Sequence, residues 1–261
     1  ITPDIGTTFG LDIAISYFDI TIEDTIRSID PETIAFKCYN DAAELASPFC
    51  SRLGPRAGND LGFNLIGAID ASFVNVGEET SVGWDFNARL TGSFGFGDVI
   101  WLNAATLSTE RQTQVFAGDT IDDLKGTYGN PETRYNSNVI VNMGANWSFS
   151  WLARFVGETT APAVRRTSTT GGCDNYEVRP DLLVTTEPTA GVCDAASIWY
   201  HDISATYAQD TWNVTAGIQN LLDEQPPLIT RGAGSNRMNR VTSSGYDQFG
   251  RQVFVSFSKA F

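Results

Sequence analysis

Apolar and polar residues alternate one for one over repeated segments of the chain. Val82, Trp84, Phe86, Ala88 and Leu90 are interleaved with Gly83, Asp85, Asn87, Arg89 and Thr91. Trp147, Phe149, Trp151, Ala153 and Phe155 alternate with Ser148, Ser150, Leu152 and Arg154. Trp199, His201, Ile203, Ala205 and Tyr207 alternate with Tyr200, Asp202, Ser204 and Thr206, and Trp212, Val214, Ala216 and Ile218 with Asn213, Thr215, Gly217 and Gln219. Successive side chains of a strand point to opposite faces, so a period of two predicts strands with one apolar and one polar face. Alternation alone does not say which face meets water. A soluble sandwich buries the apolar face, whereas a transmembrane barrel turns it to lipid.

Loop lengths favour the barrel. Short turns at Phe94 to Asp98, Ala145 to Asn146 and Gln209 to Asp210 alternate with long polar connections at about Ser28 to Asp60, Gln112 to Glu132, Gly157 to Ala196 and Glu224 to Gln248. Short turns at one end and long loops at the other are the pattern of outer-membrane barrels, and structureless loops of such length are uncommon in compact soluble domains. Bounding each strand by its turn signals predicts eight crossings. They run from about Thr7 to Glu23, Gly62 to Ser93, Val99 to Ser108, Tyr135 to Gly144, Trp147 to Val156, Ile198 to Ala208, Trp212 to Leu222 and Arg251 to Phe261. The up-and-down parity requires Gly62 to Ser93 to be one long strand, with Gly77-Glu78-Glu79 a bulge or kink above the membrane; a separate hairpin there would invert every earlier strand. All six tryptophans, Trp84, Trp101, Trp147, Trp151, Trp199 and Trp212, fall within predicted strands, several near an end where interfacial aromatic girdles sit. The expected fold is therefore all-β: an antiparallel transmembrane β-barrel segment of about eight strands with short periplasmic turns and long extracellular loops.

Composition removes several function classes. A formal net charge of -14 over 261 residues argues against nucleic-acid binding, which needs clustered Lys and Arg, and against a polybasic membrane-surface contact. No run approaches the length of a transmembrane helix, which leaves the closed barrel as the other way to span a bilayer. The start, Ile1-Thr2-Pro3-Asp4, lacks the basic and apolar regions of a signal peptide and runs within a few residues into a strand. It reads as a cut at the short turn after a missing neighbour.

The four cysteines form two local pairs, Cys38 with Cys50 and Cys173 with Cys193, each in a polar loop. Local disulfides are the simplest of three possible pairings and imply an oxidising compartment. Zinc is the competing reading, but neither pair has close CxxC spacing and His201 is the only histidine; free thiols are the other.

No catalytic constellation, cofactor site or metal site emerges. His201 sits on the apolar-faced side beside Trp199, an interfacial rather than a catalytic position. The glycine clusters at 95–97 and 232–234 lack the strand-to-helix context and lysine of a phosphate loop. Asp85 and Arg89, or Asp202 and Arg154, are expected to be polar groups of a solvated interior. The best candidate ligand contacts are Arg231, Asn236, Arg237 and Arg240, with Asn239, a basic patch in an acidic chain that lies in the last long loop. Such a patch suits an anionic ligand, for example a carboxylate- or catecholate-bearing metal chelate.

The C-terminus carries more specific signals. Asn220-Leu221-Leu222-Asp223-Glu224-Gln225-Pro226-Pro227, then Gly245-Tyr246-Asp247-Gln248-Phe249-Gly250-Arg251, then a strand ending in Phe261 together resemble the end of TonB-dependent receptors. In that family an Asn-Leu-Phe-Asp stretch closes the penultimate strand and a Tyr-Asp-x-x-Gly-Arg stretch opens the last. Ile15-Ser16-Tyr17-Phe18-Asp19-Ile20 and Gly83-Trp84-Asp85 are similar to the family's strand openings. The resemblance implies that residues 1–261 are the C-terminal portion of a large barrel, with earlier strands and a plug domain absent. It implies uptake rather than catalysis: an outer-membrane receptor of a Gram-negative bacterium, energised through the plug by the TonB complex, importing siderophore-iron, cobalamin, haem or oligosaccharide. It also implies that Val253, Val255, Phe257 and Phe261 form a signal read by the outer-membrane assembly machinery, with their face on lipid. Lys259 departs from that pattern, and its amine would have to snorkel to the interface. The alternatives are a self-contained small outer-membrane barrel, adhesive or structural, and a secreted carbohydrate-binding β-sandwich.

Overall fold

The computed structural model describes residues 9–29, 31–40, 47–58, 64–75, 77–114, 121–161, 193–229 and 245–260. They fall into two compact units, divided at residues 20/21, 79/80, 112/113 and 121/122. Eight long strands succeed one another along the chain: β1 (Phe9–Glu23), β2 (Glu78–Phe94), β3 (Gly97–Gln114), β4 (Thr133–Met143), β5 (Trp147–Val156), β6 (Ile198–Gln209), β7 (Trp212–Gln219) and β8 (Gln252–Lys259). Each is hydrogen-bonded to the next, giving one up-and-down sheet in which Asp122–Asp123 adds a short pairing to β3. Tight turns join β2 to β3, β4 to β5 and β6 to β7, and the strand ends from which the long connections leave are the opposite ones.

Register sorts the side chains into rungs of opposite character. Trp101, Val139, Trp151, Ile203, Ile218 and Val253 stand in line across six strands. Asp98, Asn142, Ser148, Thr206, Thr215 and Ser256 form another six-strand line on the opposite face. The apolar face is the more exposed one: along β5, Trp147, Phe149 and Trp151 are 48, 41 and 46% exposed, while the intervening serines are only half-buried. Among the described residues of the sheet unit, the buried hydrophobic side chains gather mostly at the long-loop end, where Val156, Ala195, Ile229 and Tyr246 pack together. A sandwich would hide the tryptophan face. Its exposure is the inside-out arrangement of a membrane barrel wall.

Two aromatic girdles mark the membrane depth. Toward the turn end, Trp147 meets Tyr207 and Phe9 meets Phe94, with ring centroids 4.9 and 5.5 Å apart. Toward the loop end, Phe155 meets Trp199 and Tyr17 meets Trp84, at 4.8 and 5.0 Å. Eight residues separate the two levels on β5 (147 to 155) and again on β1 (9 to 17). At about 3.3 Å per residue this is about 26 Å along the strand. With the usual tilt it becomes roughly 20 Å of depth, close to the apolar band of an outer-membrane barrel. Trp101 and Trp151 lie between the levels, and each indole N–H is satisfied locally, by Ser137 Oγ at 2.7 Å and His201 Nδ1 at 3.3 Å. Lys259 pairs in register with Trp212, one rung beyond Trp147 and Tyr207 on the turn side, where its stem can reach the interface.

Several boundaries differ from the sequence reading. The long second strand begins at Glu78 and not at Gly62, and Gly77-Glu78-Glu79 is its start and not a bulge within it. Gly77 has φ +82°, a left-handed conformation that interrupts an extended run and favours glycine, so the ladder forms only after it. The eight-strand parity survives, because the segment upstream forms short ladders of the smaller unit (Ile26–Ser28 with Phe73–Asn75, Arg56–Gly58 with Asn64–Ile66) and no separate crossing. β3 runs on to Gln114, past the expected end at Ser108, and β7 stops at Gln219 because Asn220 turns left-handed with φ +49°.

The smaller unit also holds a helix that the alternation gave no sign of, α1 (Pro31–Asn40). Proline opens it, where no N–H partner is needed; Glu32 lies in the first turn and Lys37 in the last, each favourable to the helix dipole. Ile34 and Cys38, four residues apart, bury the same face. Cys38 is bonded to Cys50 on a short 3-10 turn, Pro48–Arg52, as expected of the first cysteine pair. Arg52 holds the carbonyl and carboxylate of Asp70, whose side chain in turn caps the N–H of Ser72. With so small a core, the crosslink closing a 12-residue separation dominates this unit. Cys38→Ser with Cys50→Ser is expected to remove on the order of 3 kcal/mol of its stability. Limited proteolysis should show new cuts between residues 29 and 79, with the sheet unit still protected.

Candidate functional site: the lumen wall and the loop-end rim

The polar face of the sheet is a continuous hydrogen-bonding wall. Arg154 on β5 grips Asp202 on β6 with two bonds, Nε to Oδ2 at 3.0 Å and Nη2 to Oδ1 at 3.3 Å, and its guanidinium lies over the Tyr200 ring, 5.3 Å from the centroid. Of the interior polar groups expected from the sequence, Asp202 and Arg154 thus meet each other. Asp85 and Arg89 do not: Asp85 accepts the Thr106 hydroxyl at 2.6 Å, and Arg89 reaches Asp12 on β1 at 3.8 Å. The Arg89 pair is half exposed on both sides and contributes well under 1 kcal/mol. Ser150 donates to Asn138, and Thr206 and Thr215 share a bond across β6 and β7. Asp12, Asn87, Arg89, Asn136 and Asn138 line a hollow of about 350 Å³ on this face. Among the described residues no group of three or more His, Cys, Asp or Glu is placed to hold a metal.

The loop-end rim is built around tyrosines that no periodic signal marks. Tyr128 donates its hydroxyl to the Cys193 carbonyl, while its N–H bonds Thr160 and the N–H of Ala161 bonds Cys193. Tyr246 shares a hydrogen bond with Thr159 at 3.0 Å and packs on Val156, Ala195 and Ile229. Tyr246 stands in the Tyr-Asp-x-x-Gly-Arg stretch and was legible as part of that motif. Tyr128, an isolated residue in a long polar connection, was not. Burial first, then the charges of Asp194 and Tyr246, pushes the Tyr128 phenol above its ordinary value. Burial likewise raises Tyr246, against the opposing hydrogen bond from Thr159 and the charge of Arg134. A phenol whose folded pKa is raised lends stability that is complete below its unfolded value near 10 and is lost as pH climbs toward the folded value. The 295 nm absorbance difference between the parent protein and Tyr128→Phe should therefore stay flat to above about pH 10 and appear only as the rim opens.

The terminal motifs interlock beside this rim. Asn220, fully buried, donates through Nδ2 to the Glu224 carbonyl at 2.9 Å and accepts the Glu224 N–H at 2.8 Å, closing a side-chain turn after β7. Asp202 Oδ1 accepts the Asn220 N–H at 2.8 Å, which links the turn to the lumen ion pair. Asp223 Oδ1 accepts the N–H of Arg251 at 2.8 Å, and Asp247 Oδ1 accepts those of Phe249 and Gly250 at 2.9 and 3.2 Å. One carboxylate thus fixes where β8 begins and another shapes the turn that leads into it.

Of the remaining sequence candidates, Val253, Val255 and Phe257 share the outward face of β8 at 75, 72 and 64% exposure. Arg231, Asn236, Arg237, Arg240, Asn239, Cys173 and Phe261 lie outside the described residues. Cys193 is buried, and none of the described cysteines is a free thiol.

A family model described as TonB dependent receptor-like, beta-barrel, matches residues 4–221. The chain belongs to the TonB-dependent receptor family. The match takes in the strand openings at 15–20 and 83–85, while most of the C-terminal motif, from Leu222 onward, lies beyond it. Solved receptors agree with the fold. A mutant of the ferric enterobactin receptor PfeA from Pseudomonas aeruginosa superposes with a TM-score of 0.52 at 14% identity, over 98% of this chain and 29% of that one. The siderophore receptor PirA from Acinetobacter baumannii gives 0.51 at 12% identity, over 98% and 30%. The FrpB iron transporter from Neisseria meningitidis (F3-3 variant) gives 0.50 at 14%, over 98% and 30%. The chain spans about 30% of the length of these receptors. No curated protein sequence matches it. Members of this family are transporters and not enzymes.

Proposed function

We propose that residues 1–261 form the C-terminal portion of the barrel domain of an outer-membrane receptor in a Gram-negative bacterium. In that reading, further strands and a plug domain complete it, and it takes up a scarce ligand, siderophore-bound iron first among the candidates. The observation that carries this reading is the inside-out sheet within a TonB-dependent receptor family. Iron or siderophores appear in the names of the solved receptors that share the fold. Energy comes from the TonB complex acting through the plug, and assembly proceeds through the outward face of β8, Val253, Val255 and Phe257, with Phe261. Cys173 and Cys193 form the second loop disulfide.

Arg231, Asn236, Arg237 and Arg240 are the proposed ligand contacts, because they concentrate positive charge in an acidic chain within the connection between β7 and β8. Guanidinium groups grip carboxylate or catecholate oxygens bidentately. The test is uptake of radiolabelled ferric siderophores by cells carrying the receptor, with the arginines at 231, 237 and 240 replaced by serine. Uptake of the anionic chelate is expected to fall at least tenfold while surface abundance stays constant. Unchanged uptake would overturn the role of the patch, and failure of every iron chelate, with transport of another solute, would overturn the iron reading.

A further inference from the structure

The outward face of the sheet is not uniformly filled. Across β5 to β8, one rung reads Phe149, Ala205, Ala216 and Val255, the next toward the loops Trp151, Ile203, Ile218 and Val253, and the next toward the turns Trp147, Tyr207, Val214 and Phe257. The two alanines are therefore small residues ringed by large ones. They floor an apolar groove of about 610 Å³, walled by Phe149, Trp151, Val141, Ile218 and Val253. The groove lies between the two aromatic girdles, in the depth range occupied by hydrocarbon, so whatever fills it is apolar and comes from the bilayer. Apart from Ser150 and Ser204, whose register puts them on the opposite face, the lining is apolar, so water there would find few hydrogen-bond partners.

At its loop-side end the groove meets hydrogen-bonding groups on the same outward face. Trp151 donates to His201 Nδ1, which leaves His201 Nε2 as the remaining ring nitrogen. On β6, His201 stands one rung toward the loops from the groove-lining Ile203, and one step short of the Phe155 and Trp199 girdle. Donors at that depth stand where the ester oxygens of a lipid enter the apolar layer.

We propose that this groove is a binding site for one acyl chain of a membrane lipid, with Ala205 and Ala216 as its floor and His201 donating to the ester region. The proposal rests on the reading of the chain as a membrane barrel wall. A short apolar floor between aromatic walls holds a flexible chain in one path, and the polar end fixes its depth, which distinguishes this lipid from the exchanging annulus.

The test uses the receptor carrying this chain in nanodiscs of a phospholipid with a photoactivatable group midway along one acyl chain. Cross-linked peptides are then quantified by mass spectrometry. Labelling at residues 139–141, 149–151, 203–205 and 216–218 is expected to exceed that at Ile13, Ile15 and Phe86, equally outward but outside the groove, by about fivefold or more. Ala216→Leu, which fills the floor, is expected to remove that excess, and Ala205→Leu provides a second filling variant if the first fails to insert. Even labelling of all outward strands, or an excess that survives filling, would overturn the groove while leaving the barrel intact. Receptor-to-receptor cross-links at these residues in place of lipid would overturn it in favour of a protein partner. Absence of lipid labelling anywhere would instead overturn the membrane reading on which it rests.

Discussion

Refolded alone into detergent, residues 1–261 are expected to yield no heat-modifiable, protease-resistant monomer. Among the described residues the sheet is open, with β1 and β8 at its two edges and neither pairing with the other. Every second residue of an antiparallel edge aims both its N–H and its C=O outward. For strands with about nine to eleven residues in the membrane, β1 and the eight residues of β8 present roughly eighteen such groups. Each unpaired group costs several kcal/mol in hydrocarbon. The sum is several tens of kcal/mol, beyond the roughly 5–15 kcal/mol that ordinarily separates folded from unfolded states. Edge pairing between molecules is then the cheapest relief, and aggregates or mixed oligomers are the expected products. Electrophoresis of boiled and unboiled samples decides the matter. A monomer that migrates faster when unboiled and resists protease would mean that β1 and β8 close on each other, and would restore the self-contained small barrel.

The second large effect is expected at the start of β8. Gly250 has φ +74°, and a Cβ there would lie 2.7 Å from Asp223 Oδ1, the atom that accepts the N–H of Arg251. Gly250→Val therefore combines a left-handed β-branched residue, about 1–2 kcal/mol, with displacement of a charged acceptor, about 1.5–3 kcal/mol. A total near 3–5 kcal/mol follows if the two add. Asp223→Ala removes only the second part and should cost roughly half as much. Since these contacts set where β8 begins, and a one-residue slip would move Val253, Val255 and Phe257 to the polar face, the loss should appear as failed assembly more than as a lower melting point. Membrane-inserted receptor measured in cells should fall several-fold for Gly250→Val and less for Asp223→Ala. Equal abundance of both with the parent would show that the terminal motif does not set the register.

The sheet itself was legible because its signal is local. A period of two is imposed by backbone geometry on each strand separately, and short turns punctuate it, so the bounds of β5 at Trp147 and Val156 could be read directly. The same holds for the Cys38 and Cys50 pair, whose closeness in the chain makes the crosslink the simple outcome. The helix Pro31–Asn40 was missed because only Ile34 and Cys38 define its buried face, too few to raise a 3.6-residue pattern above a polar loop. The 62–93 segment was misdivided because apolar residues continue through Phe73 and Val74, and only the backbone conformation at Gly77 separates the short ladder from the long strand.

Period and turn spacing, both properties of neighbouring residues, determined from sequence alone that this is an antiparallel sheet of eight strands with one apolar face. The terminal motif added the family. Loop asymmetry pointed to the apolar face as the outward one; which acid meets which arginine, and how Asp223, Asn220 and Asp247 lock the last strand, were decided only in three dimensions. Asp85 turns to Thr106 and Arg89 to Asp12 because register between strands, not distance along one strand, sets which side chains come within reach. The rim core around Tyr128 and Tyr246 joins residues 118 apart in the chain (246 minus 128), and no local pattern can encode a contact of that kind.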